Sequence, residues 1–256
     1  MISARDGDAD TIHYLTHFAD HHQMPRIRAI TLDLDDTLWP SAPVLMHAEQ
    51  RTYAWLQEHA PRVTTMWPLE RLRELRMSLY KAHPDLHHNL LQVRRLAMRT
   101  AFEHAGMIGN AADELIEQSL TVFMRARNDV RLYPEVLDCL QRLSERYALA
   151  SLTNGNANVA EIGLSHFFKA IVSAHTHGTT KPDPAIFHMA CRELGCAPEE
   201  VVHVGDDTEL DVRGARAAGL RAVWMNRTNT DWAGDDAPVA VNDLLELERW
   251  LESHHA

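Results

Sequence analysis

The chain has 256 residues and a mass of 29.1 kDa, which suits one large α/β domain, or a core domain with a smaller insertion, and excludes a disulfide-stapled mini-protein. Its composition, 45% hydrophobic and 24% charged with 11 glycines and 11 prolines, excludes low-complexity and collagen-like architectures. Subtracting 36 acidic from 25 basic residues leaves a net charge of −11, which repels nucleic-acid phosphates and anionic membrane surfaces, so any anionic substrate must be met by local positive charge or a bound cation.

The first 26 residues are polar and rich in histidine. His13, His17, His21 and His22 stand near helical spacing, which reads either as a metal-binding stripe or as a solvated tail. No apolar stretch there is long enough for a signal-peptide core, and no run of 18 apolar residues occurs anywhere. Cys139, Cys191 and Cys196 form no CxxC pair, so neither a zinc site nor a disulfide framework is expected, and a reducing, cytoplasmic location is. Residues Ile27 to Leu32 (IRAITL) read as a buried strand that runs into Asp33, Asp35 and Asp36.

From 41 to 130 the pattern changes to long amphipathic stretches such as VLMHAEQRTYAWLQEHA and LLQVRRLAMRTAFEHAG, predicting an all-helical insertion. After Pro134 helix and strand alternate: EVLDCLQRLSERY, ALASL, AIVSA, PAIFHMACRELG, VVHV, ELDVRGARAAG and RAVWM. Short apolar strands separated by helices predict a parallel sheet built from βα units, with ligands at the carboxyl ends of the strands. A last helix over 243–251 closes the domain. The expected organisation is a polar segment 1–26, a Rossmann-like core over 27–40 and 131–256, and a helical cap over 41–130.

Four polar clusters fall at or near predicted strand ends: DLDDT (Asp33 to Thr37), LTNGN (Leu152 to Asn156), KPDP (Lys181 to Pro184) and VGDDTELD (Val204 to Asp211). In this order they resemble the four signature motifs of the haloacid dehalogenase superfamily of phosphotransferases, and the helical block after the first motif resembles that superfamily's C1 cap. More narrowly, ITLDLDDTLW, LTNGNAN, HGTTKPDPAIF and HVGDDTELDV are similar to the bacterial phosphatases acting on 5-amino-6-(5-phospho-D-ribitylamino)uracil in riboflavin synthesis. The resemblance implies a Mg²⁺-dependent phosphomonoester hydrolase acting on a small phosphorylated metabolite, such as that flavin precursor or FMN, as a monomer or homodimer. A phosphomutase or other sugar-phosphate phosphotransferase shares the same motifs, and a non-catalytic phosphometabolite-binding module is the alternative from another class.

The chemistry of the residues fits these roles. A carboxylate approaching a phosphate dianion meets repulsion of about 4 kcal/mol per charge pair at about 4 Å and effective dielectric 20, so a divalent cation and a lysine are needed. Asp33 is the expected nucleophile. Asp35, two residues on, is the expected general acid and then base. Asp206, helped by Asp207, would hold the Mg²⁺ with Asp33 and the Asp35 backbone carbonyl. Thr153 and backbone amides near Asn154 would hold phosphoryl oxygens, and Lys181 would neutralise their charge, itself positioned by Asp211 or Asp207. Thr37 supports the first motif. Removing Lys181 is expected to hurt rate more than folding. Because a halide leaves without protonation, the hydrolytic dehalogenases of the superfamily lack an acid at the position of Asp35, and the resemblance therefore implies phosphoester chemistry.

Each assignment has a plainer alternative. Asp36 and Asp207 read equally as turn or helix-capping residues, Asn154-Gly155 as a tight turn, Lys181 as a surface lysine, and His203 as a satisfied core histidine. In the cap, His88 and Arg95 stand seven apart, which would place them on one helix face with Arg94 elsewhere; solvated charge is the plainer reading. The resemblance instead matches His88 and Arg94 to a histidine and an arginine of the cap helix in the similar enzymes, with Val93 or His87 where those enzymes carry an aromatic; the spacing establishes no substrate contact for either.

Overall fold

The structure, a computed structural model, describes residues 26–253. The four N-terminal histidines lie outside the described residues. Strand β1 (Ala29–Leu32) is followed by a helical block: α1 (Ser41–His59), α2 (Pro61–Met66), α3 (Leu69–Ala82), α4 (Leu90–His104) and α5 (Asn110–Arg127). Prolines punctuate it. Pro61 opens α2, and Pro68 stands just ahead of α3, where a missing N–H costs nothing because the first turn has no intrahelical acceptor for it. Asn89 caps α4 by accepting a bond from Gln92 N at 3.0 Å.

The chain then returns through α6 (Val136–Arg146), β2 (Ala148–Thr153), α7 (Val159–Ile162), β3 (Ala170–Ser173), α8 (Ala174–His177), α9 (Pro184–Leu194), β4 (Val201–Gly205), α10 (Gly214–Ala217), β5 (Arg221–Met225), β6 (Val239–Val241) and α11 (Leu244–Ser253). The six strands among the described residues are all parallel, in the order β3-β2-β1-β4-β5-β6. The chain builds outward from β1 on one side and then on the other, so the order reverses at β1, and a crevice opens beyond the carboxyl ends of β1 and β4. This is the Rossmann-like core with helices on both faces.

Alternation along β1 feeds two cores. Ile30 and Leu32 join Val136, Leu140 and Leu143 of α6 and Leu244, Leu247 and Leu251 of α11. Ala29 faces the other layer with Ile186, Phe187 and Ala190 of α9. A third core lies wholly within the cap, around Leu56, Leu72, Met98, Phe102, Ile116 and Leu120. Each such side chain contributes about 1.5–3 kcal/mol on burial, so the cap has a hydrophobic interior of its own. No helix among the described residues is long and apolar enough to cross a membrane.

Several expectations are corrected. The first strand starts at Ala29 rather than Ile27, and the last helix runs Leu244–Ser253, with Asp243 accepting from Glu246 N at 2.7 Å. Residues Thr208–Arg213 wind as a wide π turn ahead of α10. Strand β6 had no readable signal, being three residues at the sheet edge of which only Val241 is buried. His88 and Arg95 do not share a helix face: α4 begins at Leu90, so His88 sits in the turn before it. Arg95 pairs with Glu117 at 2.6 Å on the surface. Arg94 lies inside the cap, its guanidinium 3.5 Å over the Phe123 ring and 3.6 Å from Glu49, which also receives Arg73 and Arg76 at 2.5 and 2.7 Å.

Candidate active site

Register brings the motifs together. Leu32 lies opposite Ser151 of β2 and Val204 of β4, so the residues that follow on each strand emerge at one edge of the sheet. Asp33 N donates to Val204 O at 2.8 Å, which holds Asp33 beside Gly205 and Asp206. The loop after Asp33 folds tightly back: Leu38 N bonds Leu34 O and Asp36 N bonds Trp39 O, with Asp36 at φ 57°. That left-handed turn is one that aspartate tolerates, and it aims Asp36 at the start of α1, where Oδ1 accepts from Ser41 N at 2.9 Å and Oδ2 from Ser41 Oγ at 2.5 Å.

Lys181 is no surface lysine. Its side chain is 3% exposed, and its ammonium donates to Asp33 Oδ1 at 2.6 Å and Asp211 Oδ1 at 2.5 Å. The Asn154 side chain grips the Lys181 backbone from both sides, accepting from its N–H at 2.8 Å and donating to its carbonyl at 2.9 Å. Asn154 thus has its side chain engaged by the Lys181 backbone on both its donor and its acceptor side. Thr153 Oγ1 accepts from Gly155 N at 2.9 Å.

Of the two acids offered as partners for Lys181, Asp211 is the one in contact. Asp207 instead caps the π turn, accepting from Glu209 N and Leu210 N, and its own N–H donates to Asp211 Oδ2 at 3.0 Å. His203 is buried and fully bonded: Nε2 lies 3.0 Å from Asp211 Oδ1 and Nδ1 2.8 Å from Thr31 Oγ1. An ionised carboxylate can only accept, so Nε2 carries the proton and Nδ1 accepts from the threonine. Burial pushes the His203 pKa down, which favours this neutral form.

Charge is unbalanced around that ammonium. Burial alone would lower Lys181, but Asp211 and Asp33 outweigh it and hold its pKa raised. Asp211, though buried, is driven well below the usual carboxylate range by Lys181 and His203. One cation cannot serve two buried anions equally. Burial, with Asp211 and Asp206 nearby, pushes Asp33 well above its ordinary value despite Lys181. Asp206 is pushed up to about 7 by burial, then by Asp211 and Asp36. Carboxylate oxygens of Asp33, Asp206 and Asp211 lie within 4.8 Å of one another. With Asp211 engaged by Lys181, His203 and the Asp207 amide, Asp33 and Asp206 are the two crowded acids that a hard divalent cation would relieve.

These groups line one cleft of about 480 Å³: Asp33, Asp35, Asp36, Thr153, Asn154, Lys181, Asp206, Asp207 and Asp211 from the core, and Tyr80, His87 and Leu90 from the cap. Thr37 is not among them; it is buried, its carbonyl receives Arg227, and its hydroxyl has no hydrogen-bond partner. A second cleft of about 360 Å³ shares Leu90, Thr153, Asn154 and Gly155 and is lined also by His88, Met124 and Ile171. His87 stacks on Tyr80 with ring centroids 4.0 Å apart, so an aromatic surface does face the cleft. Tyr80 had no sequence signal beyond an amphipathic helix. Arg127, the last residue of α5, was also missed: its Nη2 lies 2.8 and 2.6 Å from the two oxygens of Asp35. A basic residue in a last turn reads as ordinary dipole compensation.

Known proteins resemble this chain along most of its length. Residues 27–219 match the haloacid dehalogenase-like hydrolase family. The 5-amino-6-(5-phospho-D-ribitylamino)uracil phosphatase YigB of Escherichia coli (strain K12) is 30% identical over 211 residues, 82% of this chain and 88% of that protein. The glyceraldehyde 3-phosphate phosphatase of Methanopyrus kandleri is 30% identical over 242 residues, 88% of this chain and 98% of that one. Among solved structures, the 2-haloacid dehalogenase from Pseudomonas syringae pv. Tomato DC3000 superposes with a TM-score of 0.84 and 36% identity, covering 90% of this chain and all of that one. With the match spanning the inserted helices and strands β1 to β4, whose ends carry the acidic cleft, the chain belongs to the haloacid dehalogenase-like hydrolase family.

Proposed function

We propose that the enzyme is a Mg²⁺-dependent phosphomonoester hydrolase that works through an aspartyl-phosphate on Asp33. The observation that carries this reading is the Lys181 ammonium, buried and bridging Asp33 and Asp211, with Asp206 crowded against the same point. One ammonium among three carboxylates leaves an excess of negative charge, which a divalent cation would offset so that a phosphate dianion could approach. Asp33 and Asp206 would hold the cation, whose contribution when bound is to offset anionic charge at the phosphoryl oxygens.

The remaining steps belong to the chain. An Asp33 oxygen attacks phosphorus, and the bond from phosphorus to the ester oxygen breaks as Asp35 hands that oxygen a proton. Lys181 and the amides beyond Thr153 hold charge on the phosphoryl oxygens. A water then attacks the aspartyl-phosphate, gives its proton to Asp35, and the Asp33–phosphorus linkage breaks to release phosphate. The leaving group would extend toward Tyr80, His87 and Leu90 and on toward His88 and Met124. A small phosphorylated metabolite with a flat ring, such as the flavin precursor acted on by the Escherichia coli relative, suits the stacked Tyr80–His87 surface.

The 2-haloacid dehalogenase neighbour supplies a second reading, which Asp35 opposes because halide departure needs no acid. The test is phosphate release from p-nitrophenyl phosphate with and without Mg²⁺, beside halide release from 2-chloropropionate. Metal-dependent phosphate release that Asp33→Asn abolishes is expected. Halide release without phosphatase activity would overturn the reading. A panel of phosphorylated metabolites, including phosphoribitylamino-uracil, then assigns the substrate.

A further inference from the structure

Asp35 and Asp36 are neighbours in the chain, and each holds one of the two connections between core and cap. Asp36 binds the first residue of α1, through Ser41 N and Oγ. Asp35 binds the last residue of α5, through Arg127. The Arg127 side chain is 1% exposed, and one nitrogen, Nη2, serves both Asp35 oxygens. Its Nε and Nη1 are buried without a hydrogen-bond partner. A guanidinium buried with two unmet donors is costly, and folding alone would be better served by an apolar side chain at this place. On its other flank Asp35 Oδ1 accepts from Trp39 Nε1 at 2.9 Å. Gly155 closes the arrangement: a β-carbon there would lie 2.7 Å from Asp35 Oδ2 and 3.6 Å from Arg127 Nη2.

The exit from the cap is also tied to the loop that follows β2. Asn128 Oδ1 accepts from Asn158 N at 2.9 Å, and Asn128 Nδ2 donates to Glu161 at 2.7 Å. Arg127 therefore stands where the last cap helix, the loop at the end of β2 and the Asp35 turn meet. Through this contact a shift of α5 would carry the guanidinium, and with it the carboxylate of Asp35.

We propose that Arg127 is a positioning residue for Asp35, holding the carboxylate in its proton-transfer orientation and making that orientation depend on the seating of the cap's last helix. The inference rests on the reading of Asp35 as acid and base given above. It predicts a defect confined to protonation of the leaving group. Asp33, Lys181 and Asp206 do not touch Arg127, so attack on phosphorus proceeds, while esters whose leaving oxygen must be protonated react slowly.

The test is kcat/KM, which reports steps up to formation of the phosphoenzyme, over aryl phosphates running from phenyl to 2,4-dinitrophenyl phosphate. For Arg127→Gln, kcat/KM on phenyl phosphate is expected to fall by about 10²-fold, within the usual range for a general acid, and on 2,4-dinitrophenyl phosphate by less than about threefold. Arg127→Lys, which keeps the charge and preserves the fold should the glutamine variant unfold, is expected to fall between wild type and Arg127→Gln on phenyl phosphate. Asp35→Asn with Arg127→Gln should be no slower than Asp35→Asn alone, since both remove one function. An equal loss on every ester in both Arg127 variants would mark the arginine as structural and overturn the proposal. If Asp35→Asn itself shows no dependence on the leaving group, the acid role of Asp35 fails. If Asp35→Asn shows it and the Arg127 variants do not, only the positioning role fails.

Discussion

The ammonium of Lys181 and the carboxylate of Asp211 lie 2.5 Å apart with side chains 3% and 2% exposed. The pair joins the chain before α9 to the turn after β4, and it ties the fold together as well as serving the proposed chemistry. Breaking a buried pair from one side leaves the other charge unpaired, which costs about 3–5 kcal/mol. Lys181→Met is therefore expected to lower unfolding free energy by that order in denaturant melts, and turnover by about 10²–10³-fold. A variant that melts like wild type yet is inactive would restrict Lys181 to the reaction, as the sequence alone suggests.

Gly205 is required by the approach of Asp211. A β-carbon at 205 would stand 2.3 Å from Asp211 Cγ and 2.4 Å from Oδ2, and neither the strand nor the bridged carboxylate has room to yield. Gly205→Ala should cost about 1–3 kcal/mol as overpacking and displace Asp211 from Lys181. Thermal melting and phosphate release on the purified variant check this, and an alanine variant with full activity would contradict it.

The raised pKa values of Asp33 and Asp206 make the metal-free protein sensitive to pH. A carboxyl whose folded pKa lies above its unfolded value keeps its proton longer in the native state. Stability therefore falls as pH rises from the ordinary carboxylate range through about 7, where Asp206 ionises. A divalent cation held by Asp33 and Asp206, as proposed, would bind the ionised pair, so its stabilising effect should grow over the same interval. The gain in Tm on adding Mg²⁺ should be small at pH 5 and large at pH 8. Equal gains at both would show that the cation binds elsewhere.

Arg94 offers the opposite case to Lys181. Burial, reinforced by Arg76, pushes its pKa down against the pull of Glu49, and Glu49 retains Arg73 and Arg76 when Arg94 is removed. An apolar side chain of similar length can keep the contact with Phe123. Arg94→Met is therefore expected to leave stability within about 1 kcal/mol of wild type, or to raise it. A loss of several kcal/mol in denaturant melts would show that Glu49 depends on all three arginines.

Much of the architecture is legible along the chain because it follows from local periodicity. Ile30 and Leu32 alternate with Ala29 and Thr31 as a strand must, and Val44, Ala48, Thr52 and Leu56 recur at four-residue steps as a buried helical face must. Asp33, Asp35, Lys181 and Asp206 stand out by residue type, by position at or near strand ends and by the resemblance of their ordered motifs to a known family, and a parallel sheet carries strand ends to one edge. What no local pattern carries is the identity of a side chain's partner. That Lys181 is held by Asp211 rather than Asp207, that Asn154 grips the lysine backbone, and that Asp35 is bound by an arginine 92 residues away are set by the packing of distant segments. The same ionisable side chain reads as surface charge in sequence and as a bridge once neighbours exclude water. Its surroundings, settled only when distant segments pack together, decide which of the two it is.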